Sequence, residues 1–148
     1  MQKLLPPILF ILFIISMSVI CWGTGSPHQL TNPYNLIGVP MITLGLLLSM
    51  SGKRLFNKLN VNVMTFDEPS ELVTQGVYRY SRNPMYLGFA IALVGFSIIL
   101  GAAISSLLIA FLFIVIVDKW YIAYEEKKMQ NKFGKAYDEY CQNVRRWI

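Results

Sequence analysis

From Asn83 to Val117 the chain carries no charged side chain, and this run limits the fold more than any other feature. With its aromatic flank to Tyr124 it reaches roughly 40 residues, too long for one helix across about 30 Å of hydrocarbon and enough for two spans of about 20 residues. Gly101-Ala102-Ala103 is the expected turn between them. Two shorter uncharged stretches come first: Leu4 to Trp22, preceded by Lys3, and Tyr34 to Met50, which contains Gly38 and Pro40. Each fits one span. Charged residues are 14% of the 148, against about 25% in soluble domains. The expected fold class is therefore all-α: a polytopic membrane protein with one domain over 1–148. Four transmembrane helices are expected at about 4–22, 34–50, 84–100 and 103–123. A cytoplasmic loop is expected over 51–82 and cytoplasmic amphipathic helices over 124–148.

Charge placement argues for four spans. All 13 lysines and arginines then fall on one side, and neither Gly23 to Pro33 nor the Gly101 turn holds one. That is the positive-inside pattern, with both termini and any active site cytoplasmic. Three spans would set Arg79 and Arg82 opposite the C-terminal lysines. The net charge of +5 thus follows from topology. The basic residues flank spans rather than forming a separate module, so membrane lipids are expected partners and nucleic acid is not. An uncleaved first span is expected, because Gly23 and Gly25 match a leader cleavage site only weakly. Cys21 and Cys141 fall on opposite faces of the membrane, which argues against a disulfide. The single histidine, His28, lies in the outer loop, and no metal-ligand set is expected.

Polar residues gather where the loop meets the long apolar run. The segment 76–88 holds Tyr78, Tyr80 and Tyr86, Arg79 and Arg82, and the pair Asn83-Pro84. Asn is a favoured N-cap and Pro suits a first helical turn, so a helix is expected to begin here with its free amides facing the cytoplasm, ready for an anion. The loop is roughly thirty residues long, more than a passive link needs. Its Val61, Val63, Met64, Phe66, Leu72 and Val73 are expected to fold against the membrane face. After the fourth span come the interfacial aromatics Trp120, Tyr121 and Tyr124, then Glu125-Glu126. A helix is expected to run to Phe133 and end at Gly134. A second amphipathic segment, Lys135 to Ile148, places Tyr137, Tyr140, Val144 and Trp147 near one face. Each feature has an ordinary reading. The arginines can anchor lipid headgroups, the tyrosines can be interfacial, and Glu125 with Lys128 can be a surface pair. Their combination is far more specific than any one of them.

That combination resembles the integral membrane methyltransferases that include isoprenylcysteine carboxyl methyltransferase and the phospholipid methyltransferases. The shared pattern is Leu72-Val73-x-x-Gly76-x-Tyr78, then Arg82-Asn83-Pro84-Met85-Tyr86, a transmembrane hairpin, Glu125-Glu126, Phe133-Gly134, Tyr137 and Tyr140. It covers roughly residues 68 to 146, over half the chain. The resemblance implies S-adenosylmethionine-dependent methyl transfer to a lipophilic or small amphiphilic acceptor bearing a carboxylate, thiol or amine. Cofactor contacts would come from Ser70, Glu71, Leu72, Val73, Tyr78, Asn83, Pro84, Met85, Tyr86 and Glu125. Arg82, Asn83, Tyr86 and Glu126 would stand nearest the chemistry, with Glu126 supporting Glu125 or facing the acceptor. The chain departs from the family in two places. Asn83 stands where the family has histidine, so no base can titrate there near neutral pH. Tyr121 stands where the isoprenylcysteine enzymes place an arginine, which weakens the case for a prenylcysteine carboxylate as acceptor. Two other classes fit the composition: a non-enzymatic four-span transporter or scaffold, and an NADPH-binding enzyme like the sterol reductases. The spans carry no ionisable group of the kind transporters use, and the chain is short for a reductase.

Overall fold

The computed structural model describes residues 5–61 and 70–148. Lys3, Leu4, Val63, Met64 and Phe66 lie outside them. The described chain is helical: α1 (Pro6–Gly23), α2 (Gly38–Lys58), α3 (Pro84–Ile99), α4 (Ile104–Ile116), α5 (Ala123–Phe133) and α6 (Lys135–Asn143). Short 3-10 turns occupy Tyr34–Ile37 and Gly76–Arg79, and a π-helical stretch, Val117–Ile122, joins α4 to α5.

Among the described residues, three helices are long and apolar enough to cross a membrane: Pro6–Gly23, Tyr34–Lys58 and Ile104–Phe133. The last is one continuous rod, so the expected boundary near 123 does not interrupt it. The second apolar stretch also outlasts its expected end at 50. Lys53, Arg54 and Lys58 end the uncharged run, but long basic side chains at a helix end can reach polar surroundings without breaking the helix. The helix ends at Lys58, and just beyond it Asn60, whose φ of 54° is left-handed, turns the chain, with the Val61 amide returning to the Phe56 carbonyl at 3.0 Å. α3 is apolar but shorter, at 16 residues.

α3 is the central element. On one side it packs antiparallel to α2 through glycines spaced seven apart. Gly38 meets Gly95, Gly45 meets Gly88, and Gly52 faces Met85 and Pro84. A Cβ on Gly45 would stand 2.5 Å from the Gly88 carbonyl oxygen and 2.7 Å from the Ala92 amide, so neither backbone leaves room for a side chain. Small residues at a helix interface replace the hydrophobic drive that lipid cannot supply. On its other side α3 meets α1 and α4. Phe10 stacks on Phe89 at 4.8 Å, and Phe13 meets Phe113 edge-on at 5.3 Å. The Ser97 and Ser106 hydroxyls, both fully buried, bond each other at 2.9 Å across the α3–α4 hairpin.

The expected turn is present, with Gly101 at φ 79° and Ala102 at φ 50°. The 23–33 loop packs onto it. His28 Nδ1 lies 2.8 Å from the Leu100 carbonyl, and the Gln29 and Leu30 amides donate to the Gly101 carbonyl. These two uncharged connections share one end of the bundle, and Arg82 and Glu126 lie at the other. Cys21 is buried beside Leu100 at the first end and Cys141 lies near Arg82 at the second, both as free thiols. Gly134, at φ 50° and ψ −120°, turns the chain from α5 into α6. The expected second amphipathic segment is helical only to Asn143. Val144 is extended, at φ −129° and ψ 129°, and the remaining residues form a strap rather than a helical face.

Candidate functional site

α3 begins where the sequence places it, with Pro84 in its first turn, but Asn83 does not cap it through its side chain. The Asn83 carboxamide instead donates to the Arg146 carbonyl at 3.0 Å. The strap supplies the acceptor, and the residue is drawn away from its own helix. One turn further, the Tyr86 hydroxyl donates to the Glu125 carboxylate at 2.7 Å. The Tyr86 ring is buried and lies 6.4 Å from the Tyr121 ring, so the position of the second family departure borders the same site. Tyr78 is buried in the 3-10 turn, with its ring 5.2 Å from Phe56. Burial, and then the nearby Glu125 charge, push its phenol well above the ordinary range and keep it neutral. Tyr78, Tyr86 and Glu125 thus converge from three separate segments.

The second glutamate is held differently. Glu126 accepts from Arg82 at 2.8 Å and also forms an ion pair with the guanidinium of Arg146. Arg82 donates as well to the Cys141 and Val144 carbonyls, at 3.2 and 2.8 Å. Burial is the largest single influence and opposes the Arg82 charge, but the hydrogen bond to Glu126 together with the surrounding negative groups raises the pKa on balance. The Nε of Arg82 has no hydrogen-bond partner among the described residues. The geometry therefore gives Arg82 and Glu126 to a clamp between α5 and the strap, and Tyr86 and Glu125 to the face beside it.

Of the other candidate residues, Ser70 and Glu71 are exposed. Leu72 packs on the C-terminal helices beside Tyr137, Tyr140 and Phe133. Val73 is buried with Val61 and Tyr78 at the end of α2. Tyr140 donates to the Tyr78 carbonyl at 2.7 Å, and its phenol is pushed up to about 12 chiefly by burial. Segment 70–73 therefore ties α2 to the C-terminal pair beside the site. Met85 and Tyr86 also line a cavity of about 390 Å³ between α2, α3 and the start of α1. Leu46, Met50 and Phe89 make it apolar, with Ser49 and Lys53 supplying polar groups. Its volume lies within the range of about 300–1,000 Å³ common for small-molecule sites.

Sequence reasoning missed Asp118, Arg146 and Trp147. Arg146 bonds Asp118 at 3.2 Å, and the Trp147 indole donates to the same carboxylate at 3.0 Å. The only sequence signal was an acidic residue beside an apolar run, with an arginine pair near the far end of the chain. The facing glycines were also missed, although their seven-residue spacing at 38, 45 and 52 and again at 88 and 95 is a signal that could have shown them.

Residues 34–136 match the family model described as phospholipid methyltransferase. Protein-S-isoprenylcysteine O-methyltransferase B of Arabidopsis thaliana is 41% identical over 81 residues, covering 53% of this chain and 39% of that protein. A probable protein-S-isoprenylcysteine O-methyltransferase of Oryza sativa is 29% identical over 116 residues, covering 73% of this chain and 57% of that one. An uncharacterized protein of Haemophilus influenzae is 36% identical over 64 residues, covering 43% of this chain and 100% of its own. The chain therefore aligns with 39% and 57% of the lengths of these two named relatives. The family match spans well over half of the chain, from the start of the second apolar helix into α6, and the chain belongs to the phospholipid methyltransferase family.

Proposed function

We propose that this chain is an S-adenosylmethionine-dependent methyltransferase acting at the cytoplasmic face of a membrane on a lipophilic or small amphiphilic acceptor. The observation that carries this reading is the Tyr86–Glu125 pair beside Tyr78 at the start of α3. The residues fit the cofactor's chemistry. Glu125 can pair with its ammonium, and the faces of Tyr78, Tyr86 and Tyr121 suit a sulfonium through cation–π attraction. The amides of a helix's first turn have no intrahelical acceptor, so the start of α3 can receive the cofactor carboxylate. The unmatched Arg82 Nε is a further donor. Gly52 lets Met85 and Tyr78 pack close to the α2 backbone beside this site: a Cβ there would lie 2.7 Å from Met85 Cγ and 3.3 Å from the Tyr78 hydroxyl.

When bound, S-adenosylmethionine supplies a methyl group on a positively charged sulfur. Displacement at that methyl needs alignment and exclusion of water more than a base, and alignment alone can be worth about 7–11 kcal/mol. The site suits that demand. Asn83 cannot titrate, and Glu126 is occupied by two arginines and supports the site from behind. The apolar cavity beside Met85 and Tyr86 would hold the acceptor's hydrocarbon portion, with Lys53 near an anionic group. The named relatives are an isoprenylcysteine O-methyltransferase and a probable one; their names point to an oxygen acceptor on a lipophilic chain, while Tyr121 argues against the prenylcysteine carboxylate itself. The spans are taken as four. α3 covers about 24 Å at 1.5 Å per residue, and its glycine contacts with α2 carry it across with that longer helix.

Calorimetry on detergent-purified chain should show saturable binding of S-adenosylmethionine and S-adenosylhomocysteine. Glu125→Ala should abolish it while the thermal transition stays cooperative. Absence of binding in both detergent and lipid nanodiscs would overturn the reading and bring transport or scaffolding forward.

A further inference from the structure

Arg146 reaches both halves of the candidate site. Its carbonyl accepts from the Asn83 carboxamide at 3.0 Å and from the Ser81 hydroxyl at 3.4 Å, while the Arg82 amide donates to the neighbouring Arg145 carbonyl at 3.0 Å. These bonds fix the start of α3, which carries Tyr86. Its guanidinium meets Asp118 and Glu126 on the opposite wall. Glu126 adjoins Glu125, so holding one sets the direction of the other.

The π stretch makes this bridge possible. In a regular α-helix, residues eight apart sit about 80° from alignment, because eight steps of about 100° overshoot two turns. The wider turns of Val117–Ile122 absorb roughly one residue more. Asp118 and Glu126 thereby come onto one line, close enough for a single guanidinium to span them.

We propose that Arg146 is a positioning residue for the methyl transfer: through its carbonyl it fixes the start of α3, through its guanidinium the start of α5, and so it holds Tyr86 against Glu125. The proposal rests on the cofactor reading above. Its test uses the full chain in detergent, S-adenosylmethionine as calorimetric probe, and hydrogen exchange over 82–87 and 144–148. Arg146→Ala should weaken binding at least tenfold and speed exchange in both segments, leaving α1 unchanged. Arg146→Lys should recover only part of the loss, because a lysine ammonium cannot form the forked contact. In a Tyr86→Phe background, Arg146→Ala should cost less than threefold more, because the pair it aligns is already broken. Should Arg146→Ala fail to fold, Arg146→Lys and Asp118→Asn carry the test, each expected to weaken binding severalfold at unchanged protein yield. Unchanged affinity in these variants, or a full additive loss with Tyr86→Phe, would overturn the positioning role while leaving the cofactor reading intact. A chain that binds no cofactor without any substitution would overturn both.

Discussion

The Tyr86 hydroxyl is the smallest group on which the site turns. It gives Glu125 a hydrogen bond of 2.7 Å, and bonds to charged groups contribute about 1.5–3 kcal/mol. Tyr86→Phe keeps the ring against Tyr121 and removes the hydroxyl that makes this bond. S-adenosylmethionine affinity should fall roughly tenfold or more, read by calorimetry. An unaltered affinity would mean that Glu125 needs no such support. The sequence sets Tyr86 and Glu125 in one site across the hairpin, and the two side chains do meet in the structure. The role of Asn83 was not legible. As a sequence element it is a helix cap, but a carbonyl more than sixty positions away takes its side chain. The resemblance has Glu126 supporting Glu125 or facing the acceptor, with no sign in the sequence of which partners hold it. Two arginines, one in the loop and one in the strap, make it different from Glu125.

At the scale of elements, the α2–α3 pair is the sharpest case. Gly45→Ala gains helix propensity of about 1 kcal/mol. It also drives a methyl to 2.5 Å from the Gly88 carbonyl oxygen, and overpacking of this kind costs about 1–3 kcal/mol. Packing should win, so Gly45→Ala should lower the thermal midpoint in detergent. Gly23→Ala, with nothing within 4 Å, should leave the midpoint nearly unchanged. Equal midpoints for the two variants would show that the helices separate without penalty. Hydropathy located the helices but not this contact, because it counts glycine as one more permissive residue in an apolar run. The run of α2 past 50 was not legible for a related reason: charge marks where the apolar run stops, whereas the helix stops at Lys58, just before the left-handed Asn60. The π stretch has no sequence signature. Its effect shows only in the fold, where it brings Asp118 and Glu126 within reach of Arg146.

Across the whole molecule, the remaining question is how many times the chain crosses the membrane, since that decides which face holds Glu125. The loop at 23–33 and the Gly101 turn are bonded together at one end, and the basic residues of α2, α3's approach and α5 gather at the other. Four crossings make both facts agree with the positive-inside pattern. A chain whose α3 dipped in and returned would leave Lys58 and Lys132 on opposite faces. Single cysteines in place of Gln29, Lys58 and Lys132, all exposed, decide between these arrangements once Cys21 and Cys141 are changed to serine. A membrane-impermeant maleimide applied to intact cells should label the cysteine at 29. It should reach those at 58 and 132 only after permeabilisation. Labelling at 132 from outside, with 58 still protected, would remove α3 from the set of spans. It would place Glu125 on the face away from Lys58, and a cytoplasmic site shared by α2, α3 and α5 would no longer be possible.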